Sequence, residues 1–395
     1  MTDLPRRVAL FIDSDVFAGT ERHIVELAHA LSEQAVHVSI AAPSASPLNR
    51  LADEMKLNII RIEKRGGLLD LAAILKLRKL LVNGRIDLIH AHNGRTALAA
   101  AAARWLAGRG TIVATQHFID PAHISLVGLR AHLFRAAHRW VQRQIHYYIA
   151  VSHAARKAML SRESGLAEKI AVVPNGICAP DVTKLVPARQ VREELTLPSD
   201  APLIVCVARL EQEKDVATLV AAMGPVIAQV PDARCVIVGE GSQRRGLEEQ
   251  ISRVPWGRQI TLAGFRDDTI SVIRAGSLFV LPSLAEPFGL VLLEAMSLGR
   301  AVIATAAGGP LEIVKEGETG LLVPPSDAGA LAAAIVTLLR DPAKRTTMGA
   351  AALSRFRQHF TAEAMGRATK DVYEKAMRHS RNTAPTIAEV KCESC

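Results

Sequence analysis

The sequence predicts an α/β fold in which two parallel-sheet domains face one another across a cleft. Three observations carry this. Apolar runs of strand length alternate with amphipathic stretches of helix length through the first half of the chain. The same rhythm resumes after a polar, proline-bearing interval. At 395 residues the chain also exceeds what a single core usually serves.

In the first half the order is RVALFID, ERHIVELAHALSE, VHVSIAA, DLAAILKLRKLLVN, IDLIHAH, TALAAAAARWLAG and TIVATQH. Strands that alternate with helices make βαβ units around a parallel sheet, which is a Rossmann-like arrangement. The second series is LIVCVARL, DVATLVAAMGPVIAQ, RCVIVGEG, QITLAGF, SLFVLPS and RAVIATAAGG. Between them APDVTKLVPARQVREELTLPSDAP lacks strand periodicity, which places a linker near residues 178–200. The expected organisation is a first domain over 1–178, a second over 200–360, a helix over 361–380 crossing back to the first, and a disordered polar tail over 381–395. Ligands of open α/β sheets bind beyond the carboxyl ends of the strands, so two facing sheets would share an interdomain cleft.

Apolar residues make up 49% of the chain and charged residues 22%, the composition of an ordinary globular protein. Forty-eight Lys and Arg against 39 Asp and Glu leave a formal charge of +9, which suits nucleotide phosphates or acidic lipid surfaces. Nucleic acid has no motif behind it. The N-terminal apolar run is interrupted by Asp13 and Asp15 and reads as a first strand rather than a signal peptide, and no apolar stretch reaches membrane-spanning length. The expected location is the cytoplasm. Five cysteines, odd in number and scattered, do not suggest a disulfide framework; Cys206 and Cys235 read as core, and Cys392 and Cys395 as an inert tail.

The chemistry concentrates in SLFVLPSLAEPFGLVLLEAMSLG. It reads as a strand, a short loop and a helix opened by Pro287 and closed near Gly299. Phe288, Gly289 and Leu290 would supply first-turn amides, which with the positive dipole end suit a diphosphate. Glu294 lies on a helix whose other residues are almost all apolar, so an ionised carboxylate there needs partners, and a pair of ribose hydroxyls is one candidate. Glu286, in the loop, would face a sugar. Arg209 and Lys214 follow LIVCVA at a strand's carboxyl end, where a guanidinium fork and an ammonium could meet a diphosphate. Taken alone, RLEQEK also reads as a solvated charge run with Glu211 and Glu213 as its partners.

These residues form part of a longer series: AGTERH at 18–23, IHAHN at 89–93, TQH at 115–117, AVSHAAR at 150–156, VPNGI at 173–177, VARLEQEKD at 207–215, then LAGF, LPSLAEPFGLVLLEAM, TAAGGPLEIV and GETGLLVPP. The series resembles the retaining glycosyltransferases of family 4, the group 1 glycosyl transferases of GT-B fold, over most of residues 7–375. The resemblance implies a nucleoside-diphosphate sugar donor, UDP- or GDP-linked, and a glycan or lipid-linked acceptor in cell-surface polysaccharide or glycolipid synthesis. It implies no cofactor and no metal, arginine and lysine taking the metal's place. It assigns Glu286 to the donor sugar, Glu294 to the ribose, Arg209 and Lys214 to the phosphates, and His117 to the sugar near the reaction centre. His117 could act through its neutral ring or its backbone carbonyl.

The resemblance also puts Gly19 at the first strand-to-helix turn near phosphate and acceptor, although a tight turn alone would want a glycine there. Ala18 departs from the family's more common glycine pair. Gly308, Gly309 and Glu312 resemble a loop closing over the donor. His90 and His92 share one strand face, as a metal pair might, but no third ligand stands at suggestive spacing. An epimerase of the same fold would share the phosphate features, and a dinucleotide dehydrogenase fails where Arg244 replaces the third fingerprint glycine. Finally, ISLVGLRAHLFRAAHRWVQRQIHYY, within 124–148, is a basic amphipathic helix, with Leu126, Leu129, Leu133, Ala137 and Trp140 apolar and Arg135, Arg139 and Arg143 four apart. It either covers the first domain's core or also docks on an anionic membrane.

Overall fold

The structure is a computed structural model and describes residues 7–14, 19–63, 70–117, 129–162 and 164–383. The first sheet contains β1 (Arg7–Phe11), β2 (His37–Pro43), β3 (Asn58–Ile62), β4 (Leu88–Ala91), β5 (Thr111–Gln116), β6 (Tyr147–Ala150) and β7 (Ile170–Val172). The second contains β8 (Leu203–Val207), β9 (Arg234–Val238), β10 (Ile260–Gly264), β11 (Leu278–Leu281), β12 (Ala301–Thr305) and β13 (Gly320–Val323). Helices of the first half are α1 (Gly19–Glu33), α2 (Leu48–Glu54), α3 (Leu71–Val82), α4 (Gly94–Ala107), α5 (Leu129–Gln144) and α6 (His153–Arg162). Then follow α7 (Ala188–Glu194), α8 (Val216–Gln229), α9 (Arg244–Ser252), α10 (Thr269–Ala275), α11 (Leu290–Ser297), α12 (Pro310–Ile313), α13 (Ala328–Arg340), α14 (Pro342–His359) and α15 (Ala362–Thr383).

Both sheets are parallel. Their strand orders are β3-β2-β1-β4-β5-β6-β7 and β10-β9-β8-β11-β12-β13. Each order therefore reverses once, between β1 and β4 and between β8 and β11, and the loops leaving those strands open a crevice at the carboxyl edge. The chain is thus an α/β protein of two parallel-sheet domains. The strands read as continuous apolar runs because helices cover both faces: every residue of β4, β11 and β12 is buried.

Local signals set several helix ends. Asn93 accepts from the Thr96 amide while the Thr96 hydroxyl returns to Asn93 N, a capping box that starts the alanine-rich α4. Gly108, left-handed at φ 65°, stops it. The polar interval between the domains is not empty: α7 lies within it, with Val191 fully buried and Arg192 donating to the carbonyls of Pro198, Ala201 and Ala275. Its short length and charged faces hid it from periodicity.

The chain crosses between the domains twice, side by side. Ile177 N donates to Phe360 O, and Ala362 N to Ile177 O. A Cβ on Gly176 would lie 2.2 Å from Thr361 O, so only glycine admits this approach. After the second crossing α15 packs on α1 and the first sheet, burying Met365, Val372, Tyr373 and Ala376 in the first domain's core. It runs to Thr383, past the start expected for the tail; residues 384–395, with Cys392 and Cys395, lie outside the described residues. An apolar cluster that joins Ala150, Val151 and Ile170 to Phe288, Leu292 and Phe356 closes the base of the interface.

The Tyr373 hydroxyl meets His90 Nδ1 at 2.8 Å, and His90 Nε2 meets Thr115 Oγ1 at 2.6 Å, all three side chains buried. Replacing Tyr373 by Phe keeps the ring and orphans a buried ring nitrogen. Tyr373→Phe is expected to cost about 1–3 kcal/mol, read from the denaturant midpoint; an unchanged midpoint would contradict the pairing.

Candidate active site

The crevice of the second sheet collects three of the residues singled out in the sequence. Arg209 and Lys214 leave β8, and Glu286 leaves β11, the two strands flanking the reversal. The Lys214 ammonium lies 2.6 Å from Glu286 Oε2, with both side chains largely buried, and Ser283 Oγ donates to the same oxygen at 3.2 Å. Leu284 N donates to Glu213 O and fastens the two loops together. Arg209 is exposed and pairs with Glu213 at 2.7 Å. Glu211 accepts from Ser242 N and Oγ instead. The glycines of GEGS allow that clasp: a Cβ on Gly239 would sit 1.9 Å from Ala208 O, and one on Gly241 2.4 Å from Leu210 O.

The helix over the crevice differs from the expectation at its start. It begins at Leu290, not Pro287, because Gly289 takes a left-handed conformation, φ 104°, that an α-helix cannot include. Phe288 turns its ring inward, 3% exposed, against Phe360. Only main-chain groups of Phe288 and Gly289 therefore remain to meet a ligand, together with the first turn at Leu290. Gly309 packs directly on this loop: its N donates to Glu286 O, and a Cβ there would fall 2.2 Å from Phe288 O. The Glu312 carboxylate reaches across to the first domain, where it accepts from His153 N and Ala154 N and caps α6.

Glu294 is 6% exposed, and burial raises its pKa against the opposing pull of Arg22. Arg22, on α1 of the first domain, reaches it at 3.7 Å, and also pairs with Glu26 at 3.1 Å. Arg22 was not singled out from the sequence, because an i,i+4 pair on α1 accounts for it locally; the contact with Glu294 lies across the whole fold. Gly19 opens the same helix. A Cβ there would lie 3.9 Å from Leu290 Cδ1. The turn that leads into it, with Ala18, lies outside the described residues.

His117 follows β5 and is 8% exposed. It belongs to a group. His92, just after β4, places Nδ1 3.1 Å from His117 Nε2, and His23 of α1 packs edge-on to His117 with ring centres 4.8 Å apart. His90, the neighbour of His92 on the strand, is taken by Tyr373 and Thr115, so the pair foreseen on the strand divides. Burial pushes the pKa of His23 down to about 4, and burial with the neighbouring imidazoles pushes His92 and His117 well below the ordinary value. All are neutral near pH 7.

Two family models match the chain: "Glycosyltransferase Family 4" over residues 17–179 and "Glycosyl transferases group 1" over residues 188–355. This chain belongs to the group 1 glycosyl transferases. It is 31% identical to the glycogen synthase of Mycobacterium tuberculosis over 80% of this chain and 76% of that one. It is 29% identical to the phosphatidyl-myo-inositol mannosyltransferase of Mycolicibacterium smegmatis, over 87% of each. Among solved structures, Anabaena HepE in complex with UDP-glucose shares the GT-B fold at a TM-score of 0.79 and 24% identity, covering 93% of this chain and 98% of that one.

The buried histidines set a pH dependence. Unfolded imidazoles take a proton near pH 6.5; in the folded chain His23 does so only near 4 and His146, also pushed down by burial, near 3. The unfolded state therefore binds more protons below pH 6.5, and stability present above that pH is lost on acidification. From pH 7 to 5 His23 alone is expected to cost about 2 kcal/mol. Denaturation at both pH values should show a shallower loss in His23→Asn; equal losses would refute the assignment.

Proposed function

We propose that this glycosyltransferase moves a sugar from a nucleoside-diphosphate sugar to a glycan or lipid-linked acceptor, with retention at the anomeric carbon and without a metal. The observation that carries the reading is the convergence of Lys214, Glu286 and Arg209 at the reversal of the second sheet, one helix start away from buried Glu294. The leaving diphosphate gains negative charge as the sugar becomes oxocarbenium-like. Arg209, Lys214 and the main-chain amides of Phe288, Gly289 and Leu290 meet that charge in place of a cation. Glu294 accepts from the ribose hydroxyls once Arg22 releases it. Glu286, steadied by Lys214 and Ser283, faces the sugar, and neutral His117 approaches it from the first domain. Gly19, where a Cβ would stand 3.9 Å from Leu290 Cδ1, leaves room for the donor between α1 and Leu290.

The glycogen synthase and the phosphatidyl-myo-inositol mannosyltransferase build a polysaccharide and a glycolipid by name, which favours an acceptor of one of those classes. UDP-glucose, present in the HepE complex, is the first donor to test. A panel of UDP- and GDP-sugars should contain one that raises the melting temperature, by about 2.7 kcal/mol of added stability at 100 times its Kd. Glu294→Ala should weaken that donor about 10- to 100-fold. If none stabilises the wild type, the site assignment fails. Proton NMR of the first-formed product should show the donor's anomeric configuration, at a rate unchanged by EDTA; inversion would refute the mechanism.

We also propose attachment to anionic membranes through the outer layer of the first domain. Among the described residues no helix is long and apolar enough to cross a membrane. On α5, Arg135, Arg139 and Arg143 are exposed; Ala137, expected on the apolar side, is exposed with them, and Trp140 is half-buried. Leu126 lies outside the described residues. The apolar surface is instead next door: Leu71 and Leu75 on α3 and Trp105 on α4 are 64%, 59% and 63% exposed, flanked by Lys76, Arg78, Lys79 and Arg109. Leucines and tryptophan among basic residues suit a headgroup layer. Vesicles carrying anionic lipid should sediment the protein in a salt-sensitive manner, and Trp105→Ala with Arg139→Ala should release it; equal binding to neutral vesicles would overturn the proposal.

A further inference from the structure

The three histidines that meet at the cleft face of the first sheet leave more hydrogen-bonding capacity unused than a buried site normally tolerates. His23, His92 and His117 come from α1, the end of β4 and the end of β5, and are 3%, 1% and 8% exposed. One nitrogen from each lies within 4.8 Å of the others. Both ring nitrogens of His23 and Nε2 of His92 have no hydrogen-bond partner. Asn175 sits beside His23, but the two fall short of hydrogen-bond geometry, and Asn175 Oδ1 is unsatisfied as well. A buried polar group without a partner costs about 1–3 kcal/mol. Unsatisfied polar atoms on two of three buried imidazoles, and on the asparagine beside them, ask for an explanation, and the convergence of one nitrogen from each ring within 4.8 Å points to an occupant.

We propose that His23, His92 and His117 form a binding site for one borderline-soft divalent transition metal ion, of the zinc and cobalt class, and that its occupation inhibits the enzyme. The chemistry of the donors selects this class. Three imidazoles with no carboxylate suit zinc, cobalt, nickel or copper, and disfavour magnesium and calcium, which want oxygen. Neutral imidazole is the metal-binding form, and burial holds these rings neutral, so little proton competition remains at pH 7. Zinc at about 2.0–2.1 Å from each nitrogen would set them roughly 3.3 Å apart. The His92–His117 pair is already at 3.1 Å, and His23 must close by a small side-chain rotation. The hydrogen now shared between His92 and His117 moves to an outer ring nitrogen, and a water would fill the fourth position.

The inhibitory consequence rests on the proposed transfer reaction, in which His117 addresses the donor sugar. A ring nitrogen bound to metal cannot also donate to a sugar hydroxyl. The site itself does not depend on that reading, because metal binding can be measured without turnover.

The test uses the full chain, free of any polyhistidine tag and stripped with EDTA. Titration with cobalt(II) alone, followed by visible absorption, and then with zinc(II) in a calorimeter should each show about one equivalent bound. Magnesium should show none. His23→Gln and His92→Gln, which keep polarity and most of the volume, should each weaken cobalt at least about tenfold, whereas His29→Gln, on the outer side of α1, should not. Absence of binding, or binding equal in all variants, overturns the site. In the second arm zinc should slow donor hydrolysis and EDTA should restore it. Zinc bound with hydrolysis unchanged overturns the inhibition. For a chain that hydrolyses no donor the second arm reads the donor's thermal stabilisation, which zinc should reduce and EDTA restore; stabilisation unchanged by zinc overturns the inhibition, and the titration still decides the site.

Discussion

Everything functional in this molecule depends on the paired crossing at Ile177 and Thr361. Two strands of chain pass between the domains in contact, joined by the Phe360–Ile177–Ala362 backbone bonds, with Gly176 admitting the approach. One crossing alone would leave the sheets free to rotate about a single segment. With two, and with α15 anchored by Tyr373 in the opposite core, the carboxyl edges of both sheets are held toward each other. That is why Arg22 of α1 can meet Glu294 of α11, residues 272 positions apart in the chain (294 minus 22) and each unexceptional in its own helix.

The charged pairs at this edge are poor candidates for stabilisers. Lys214–Glu286 and Arg22–Glu294 both include a side chain largely removed from water. Burying an ion pair usually returns no more than an apolar pair of the same size would. Their value lies in keeping the charges ready. Each carboxylate has a cation that the proposed donor can displace or share, so neither charge is stranded when the cleft is empty. The raised pKa of Glu294 records the strain of that arrangement: desolvation outweighs Arg22 alone.

The parts of the fold legible in the sequence were those with a local or repeating signature. Strand and helix alternation marked both sheets, and PFGLVLLEAM marked the crevice helix to within three residues. What periodicity missed has a common cause. Helix α7 is a seven-residue element whose one buried contact, Val191, is made with a distant surface. Phe288 reads as part of a cradle until Phe360, from the chain's second crossing, is seen to claim its ring. The division of His90 from His92 depends on Tyr373, 283 residues away from His90. Spacing along one strand can say that two side chains share a face, but not which partners arrive from elsewhere.

The histidine group shows how one constraint can serve two chemistries. Burial between α1 and the ends of β4 and β5 keeps His117 neutral, which an imidazole needs if it is to donate a hydrogen to a sugar hydroxyl and leave positive charge to develop on the sugar itself. The same neutrality is what a transition metal requires of a ligand. Exposing the cluster would return the rings toward the ordinary pKa near 6.5, where protons begin to compete with a metal and to cost the neutral donor. Pairing each ring to a carboxylate would hold the rings in place, but would also draw protons onto them and strengthen them as metal ligands. Between these options the fold has taken burial with partial satisfaction: His90 is tied off by Tyr373 and Thr115, while His23 and His92 keep open nitrogens beside the proposed sugar site. The proposed vulnerability to metal and the proposed fitness of His117 therefore arise from a single choice, the placement in a dry crevice of imidazoles whose cluster, among the described residues, holds no acid.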